Sequence, residues 1–188
     1  MSLGFSEVLC SAAGDGTALT AAARASLTQG ITAARWALQP NTLRNGDVLE
    51  GYAAGRISCA VTTPGTARFD LSFGGTANFD TLAMPLNIVV QTNVMWELEF
   101  KGIVRILGNV AQIFWSGHWI SPASINTAAP ATGPGPGGQM VPYNTAPVIG
   151  PAFDHTVVQA VDLQFTQTVA TGSITLHNFF LKKSSTGF

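Results

Sequence analysis

His118 stands in "SGHWI", His155 follows Asp154, and His177 lies in "SITLHNFF"; these are the three histidines of the chain. A metal site needs ligands converging at set spacings, such as two histidines one strand step apart, and no such pair occurs. Cys10 and Cys59 form no C-x-x-C pair, and G-x-S-x-G, phosphate-loop and dinucleotide motifs are missing. A nucleophile–histidine–acid triad draws its members from distant parts of a chain, so spacing alone leaves a hydrolase open. Ordinary hydrogen-bonded strand histidines account for the same residues. Glu97 and Glu99 stand two apart on one strand face, as a glycosidase pair might. Lys101 and Arg105 continue that face, however, and a row of opposite charges gives solubility and cross-strand pairing without chemistry. The most suggestive group is "WSGHW". Trp115 and Trp119 share a strand face with Gly117 between them, leaving space for a sugar ring on an aromatic platform, with His118 beside it. The competing reading places both indoles in the core or in a subunit interface, where Trp is enriched. No catalytic residue, metal ligand or cofactor site is assigned.

The elements that position these residues read as strands. In "TARFDLSF", Ala67, Phe69, Leu71 and Phe73 alternate with Thr66, Arg68, Asp70 and Ser72, so one face is buried and the other exposed. Arg68, like Arg56, becomes an outward rung, free to pair with Asp70 or a neighbouring subunit. In "MWELEFKGIVRI", Trp96, Leu98, Phe100, Val104 and Ile106 share a face. "TVVQAVDLQFT" turns Val157, Val161, Leu163 and Phe165 inward. The strand over 94–107 meets that over 110–120 across "LGN", a short hairpin connection. "ARWAL", "DVLEGYAAG", "RISCAVTT", "TARFDLSF" and the strands over 94–107, 110–120, 156–166 and 173–183 make about eight. Such a count, with Gly, Pro and Asn turns and no long helix, predicts an all-β, antiparallel two-sheet sandwich. A jelly roll is favoured, with an immunoglobulin-like Greek key as the alternative.

Two segments fall outside this pattern. Residues 1–30 read as an N-terminal arm before a sandwich domain over 31–188. "TALTAAARASL" has the propensity for a short helix with Thr17 as N-cap, yet lacks an apolar stripe. The arm is therefore expected to dock on a neighbour or along its own sheet. Residues 121–153 read as a long Pro- and Gly-rich loop, and such loops inside compact domains are commonly functional or disordered. The expected partner contacts are Phe5, Leu9 and Leu19 on the arm, and Met140 and Tyr143 on the loop.

Composition narrows the function. The chain has 188 residues, enough for one domain with a sizeable core. Only 10% of them are charged and 46% are hydrophobic, against roughly 25% charged in an average domain. Part of the surface is then expected to be buried on other chains, because obligate interfaces are apolar and poor in charge. The net charge of −1 and the absence of a basic cluster beyond Lys182–Lys183 argue against nucleic acid as a partner. No apolar run reaches the length of a membrane span, and "MSLGFSEVLC" lacks the form of a secretory signal, so a cytoplasmic site of synthesis and assembly is expected. Cys59 reads as a buried free thiol rather than half of a pair with Cys10.

"GDGTALT", "AAGRIS", "VTTPGT", "RFDLSFGGT", "TNVMWELE", "GHWIS" and "FDHTVVQAVDLQF" with "SITLHNF" carry a resemblance spanning nearly the whole chain. It resembles small β-rich, jelly-roll-like virion structural proteins of tailed bacteriophages, of the head decoration or cement type. The motifs are short, rich in Gly and Thr, and none is catalytic. The resemblance implies a non-enzymatic protein of the capsid surface, assembled in the host cytoplasm. It further implies a homotrimer that binds the major capsid protein of the assembled head. The alternative role is a tail or baseplate sandwich that binds carbohydrate or receptor. No family residue roles are carried over.

Overall fold

A computed structural model describes residues 4–59, 65–125, 137–147, 149–170 and 172–185. Most of the turn expected at "TTPGT" and the centre of the 121–153 loop lie outside the described residues. The chain is an all-β sandwich of two antiparallel six-stranded sheets, with strands numbered in chain order. Sheet A runs β1 (Phe5–Ser11), β12 (Ser173–Ser185), β4 (Val48–Cys59), β8 (Gln91–Ile106), β9 (Gln112–Ser121) and β10 (Gly137–Val141). Sheet B runs β2 (Ala25–Ser26), β11 (Gln159–Gln167), β5 (Thr66–Phe73) and β6 (Thr76–Asp80). The short β3 (Trp36–Leu38) also pairs with β11, and β7 (Met84–Pro85) with β5. Pairing is nested in the sequence: β5 with β6, β4 with β8, β2 and β3 with β11, and β1 with β12. The β9–β10 hairpin extends sheet A beyond this set.

The period-two reading places the inward faces along most of the strands, but Asp70 and Ser72 of "TARFDLSF", expected on an exposed face, are buried, Asp70 beneath the Arg24 guanidinium. Ala67, Phe69, Leu71 and Phe73 are all buried, as are Trp96, Leu98, Phe100 and Val104. Ile106 departs from that series because the register shifts between Val104 and Ile106, turning its side chain outward. Val157 is exposed as well, since β11 begins only at Gln159.

The core is a slab of aromatic rings, and glycines make room for it. β4 presents Gly51, Ala53 and Gly55 inward, paired with Phe100, Leu98 and Trp96 of β8. On the other side of β8, Gly102 pairs with Trp115 and Phe100 with Gly117 of β9. Each large ring thus leans over the bare backbone of a neighbouring strand, which small inward residues permit. A side chain at Gly102 would meet the Trp115 ring at 2.4 Å, and one at Gly51 the Phe100 ring at 2.0 Å. "DVLEGYAAG" and "RISC" are consequently one strand and not two. Gly55 looks like a break in the sequence, but it is a continuous strand position whose missing side chain clears the Thr175 carbonyl, 1.9 Å from where a Cβ would stand.

Residues 4–30 form no helix over "TALTAAARASL". They run extended from the edge of sheet A to the edge of sheet B. β1 pairs with β12; the amide of Gly16 donates to the Leu176 carbonyl, Leu19 and Ile174 exchange both bonds, and Leu27 donates to Leu163. Backbone bonding to strands already in place outweighs the weak helical propensity of an Ala-rich segment without an apolar stripe. Of the two sites expected for the arm, its own sheets are the ones occupied. The described part of the 121–153 stretch also contains one strand the sequence does not announce, β10, paired with β9 from Gly137–Ser121 to Val141–Gly117.

Candidate functional site

The expected sugar platform does not exist in this fold. Trp115 and Trp119 point into the sandwich, 2% and 0% exposed, so neither indole offers a face to a ligand. Trp115 Nε1 donates to Asn78 Oδ1 at 2.8 Å, and its ring lies 5.6 Å from Phe79; Trp119 packs 5.8 Å from Phe69. The gap above Gly117 is taken by the Glu99 carbonyl and the backbone of Phe100. His118, between the two indoles in sequence, points to the opposite face, as strand geometry requires.

The polar groups singled out by type are dispersed and engaged. His118 Nε2 stands 3.8 Å from Glu99 Oε2 on the outer face of sheet A. His155 is buried and accepts the Gly108 amide at Nδ1, 3.2 Å away. His177 Nδ1 lies 2.7 Å from Asp15 Oδ1, tying the first residues to β12. Among the described residues no three His, Cys, Asp or Glu side chains gather as metal ligands would. Glu97 accepts the Tyr52 hydroxyl at 3.2 Å, and Lys101 Nζ reaches Glu50 at 3.1 Å. Lys182 also bonds Glu50, and these two ammonium groups hold the Glu50 carboxyl below its ordinary range. The expected row of opposite charges is what sheet A displays.

Asp70 takes a partner that no strand alternation reveals. Arg24, from the segment crossing to sheet B, grips it with Nε to Oδ2 at 2.9 Å and Nη2 to Oδ1 at 2.5 Å, and covers its side chain almost completely. Arg68 turns instead to Asp80 on β6, with Nε to Oδ1 at 2.8 Å. Ser26 and Thr28 donate to Asp162 Oδ1 at 3.0 and 2.6 Å beside this clamp. These bonds latch residues 24–28 onto the outer face of sheet B. Arg56 is exposed on the outer face of sheet A.

What remains for recognition is surface, and the surface is uneven. Val8, Met95, Ile103, Ile120 and Met140 are exposed apolar side chains on sheet A, interleaved with the Glu50, Lys101 and Lys182 group. Tyr52 and Phe180, cross-strand neighbours, stack near the middle of this face with ring centroids 5.8 Å apart. Of the five residues expected to touch partners, Phe5 and Met140 are strongly exposed, at opposite edges of sheet A. Leu9 and Tyr143 are half-buried against the core. Leu19, 9% exposed, is spent on the chain's own core beside Ile174 and has little surface left for a neighbour.

Both cysteines are free and buried. Burial pushes the Cys10 thiol up to about 12, and raises Cys59, whose Sγ donates to the Asn87 carbonyl at 3.7 Å. The thiolate is the reactive species. Iodoacetamide at neutral pH should therefore leave both residues unmodified in the folded protein and label both in denaturant. Labelling of either one in the native state would contradict the burial.

Comparison of the chain with family models, curated proteins and solved structures finds no match. No helix among the described residues is long and apolar enough to cross a membrane.

Proposed function

We propose that this chain is a non-enzymatic virion structural protein, a jelly-roll decoration protein that binds the assembled head of a tailed phage as a homotrimer. The observation that carries the reading is where the residues have gone. The histidines and the suspected carboxylate pair make ordinary structural contacts, while in a charge-poor chain every exposed large apolar side chain that stands on a described strand is on sheet A, the others lying in loops. Nested strand pairing supports the jelly roll, since a long hairpin wound over itself places β1-β12-β4-β8 against β2-β11-β5-β6. The β9–β10 hairpin is then an addition to one edge.

The partner is the major capsid protein in its assembled form. A protein that binds only the closed lattice shifts the equilibrium away from expanded or burst shells, by an amount set by its concentration over its dissociation constant. The alternative of a carbohydrate-binding tail module rested on Trp115 and Trp119, and their burial removes its motivating observation. Heads of the encoding phage, prepared without this protein and then mixed with it, test the reading. Retention on the heads through a density gradient, with DNA release moved to higher temperature, is the expected result. Heads that neither retain the protein nor gain heat resistance would contradict it.

A further inference from the structure

An edge strand exposes a row of amide and carbonyl groups and invites another strand, so proteins usually shorten, cover or charge their edges. Sheet B does this. Its strands β2, β3 and β7 have two, three and two residues, and its five-residue edge β6 is covered by the Gly150–Pro151 backbone, which packs on Asn78 and accepts the Asn78 side-chain amide at the Pro151 carbonyl. Sheet A does not. It ends in β1, seven residues long, and β10, five residues long, and no described segment pairs with the outward side of either. β10, "GGQMV", carries neither charge nor proline. The single charge on β1, Glu7, is held inward by Lys183 at 2.8 Å. A bulge between Val8 and Cys10 interrupts β1, leaving Phe5–Val8 as its straight part.

We propose that copies of this chain join head to tail through sheet A, β10 of one copy adding to the Phe5–Val8 stretch of β1 in the next. The inference rests on the homotrimer reading, because three copies close only through a heterologous contact made of two different patches. β1 and β10 are two such patches, and both accept the same thing, a strand. Sheet A has six strands, all antiparallel, so its two outermost strands run in opposite directions. Placing β10 beside the next β1 continues the antiparallel order without a break. The side chains agree with the backbone. Val8 pairs with Lys182 and Met140 with His118, which puts both on the outer face. Val8 is 66% exposed and Met140 75%, one at each edge, and joining the edges brings these apolar side chains together across the new ladder. Two-fold pairing of β1 with β1 would leave β10 open, and the reverse pairing would leave β1 open.

Native mass spectrometry and light scattering on Val8→Lys, Met140→Lys, the double variant Val8→Lys with Met140→Glu, and Met95→Lys test the arrangement. Met95 is exposed on the same face but away from both edges. The wild-type chain and Met95→Lys are expected as trimers, and each single edge variant as a folded monomer by circular dichroism. The double variant regains the trimer, because opposite charges now meet at the joined edges. A monomeric or dimeric wild-type chain overturns the proposal. So does a trimer that survives both edge substitutions, or one lost in only one of them. Retention on heads separates this outcome from the functional reading. A monomer that still decorates heads contradicts the edge contact and the homotrimer but leaves the decoration role standing, and a trimer that ignores heads contradicts the decoration role alone.

Discussion

Phe69→Ala is expected to cost about 3–5 kcal/mol of folding stability, the range for deleting a large ring from a packed core. The Phe69 ring is fully buried at the centre of the slab, 5.0 Å from Phe165, 5.1 Å from Trp96 and 5.8 Å from Trp119 between centroids. It bridges the sheets, since Phe165 belongs to sheet B and both tryptophans to sheet A. Trp96 and Trp119 are themselves rigid and buried, so the space left behind cannot collapse cheaply. A typical domain is stable by only about 5–15 kcal/mol, so the variant should lose a large share of its total. Urea unfolding followed by tryptophan fluorescence measures the change. Phe69→Leu, which keeps most of the volume, should lose clearly less. Equal losses for the two variants would mean that ring packing between the sheets is not what holds them together.

Gly51→Ala should destabilise by about 2–3 kcal/mol, toward the upper end of what overpacking costs. Alanine normally stabilises a strand relative to glycine, so this prediction reverses the intrinsic preference. The reason is local. An added Cβ would stand 2.0, 2.3 and 2.6 Å from three atoms of the Phe100 ring. That ring has little room to retreat, because it stacks on Phe79 at 4.8 Å and meets Trp115 edge-on at 5.9 Å. Combining Gly51→Ala with Phe100→Leu should cost less than the sum of the single changes, since the smaller side chain removes the collision. Strict additivity in that double-mutant cycle would contradict the packing of Phe100 over Gly51.

The strands with clean alternation were readable because one face meets the core and the other meets water. β8 is of this kind, and its buried residues follow the pattern until the irregularity at Ile106, whereas β5 is buried on both faces from Phe69 to Phe73, with Arg24 laid over Asp70. β1 was not readable, since at an edge both faces are partly exposed and "FSEVLCS" has no reason to alternate. β10 was hidden by Gly137 and Gly138, which carry no pattern, and by the Pro-rich sequence around it. Gly55 misled in the opposite sense, because a glycine that clears a close backbone contact looks the same in sequence as one that makes a turn. "WSGHW" correctly showed Trp115 and Trp119 on one face but not which face. Ile113 shares their parity and Gln112, Ser116 and His118 have the other, but Phe114 and Ile120 stand among these polar residues and blur the contrast. The Arg24–Asp70 clamp joins residues 46 apart through a segment without periodicity, and only the fold brings them together. The expected contacts at Phe5 and Met140 fall on exposed edges, whereas Leu19 does not, because apolar type alone cannot tell a side chain that docks outward from one that docks on its own sheet.

The proposed function makes this sandwich a surface component, fixed to the outside of an assembled head. Under that proposal the chain is encoded by a tailed phage, and imaging its virions at side-chain resolution is the decisive measurement. Three-fold clusters of this chain on the head exterior, in contact with the major capsid protein, are the expected result. Virions in which the chain is absent, or is found only on the tail, would contradict it.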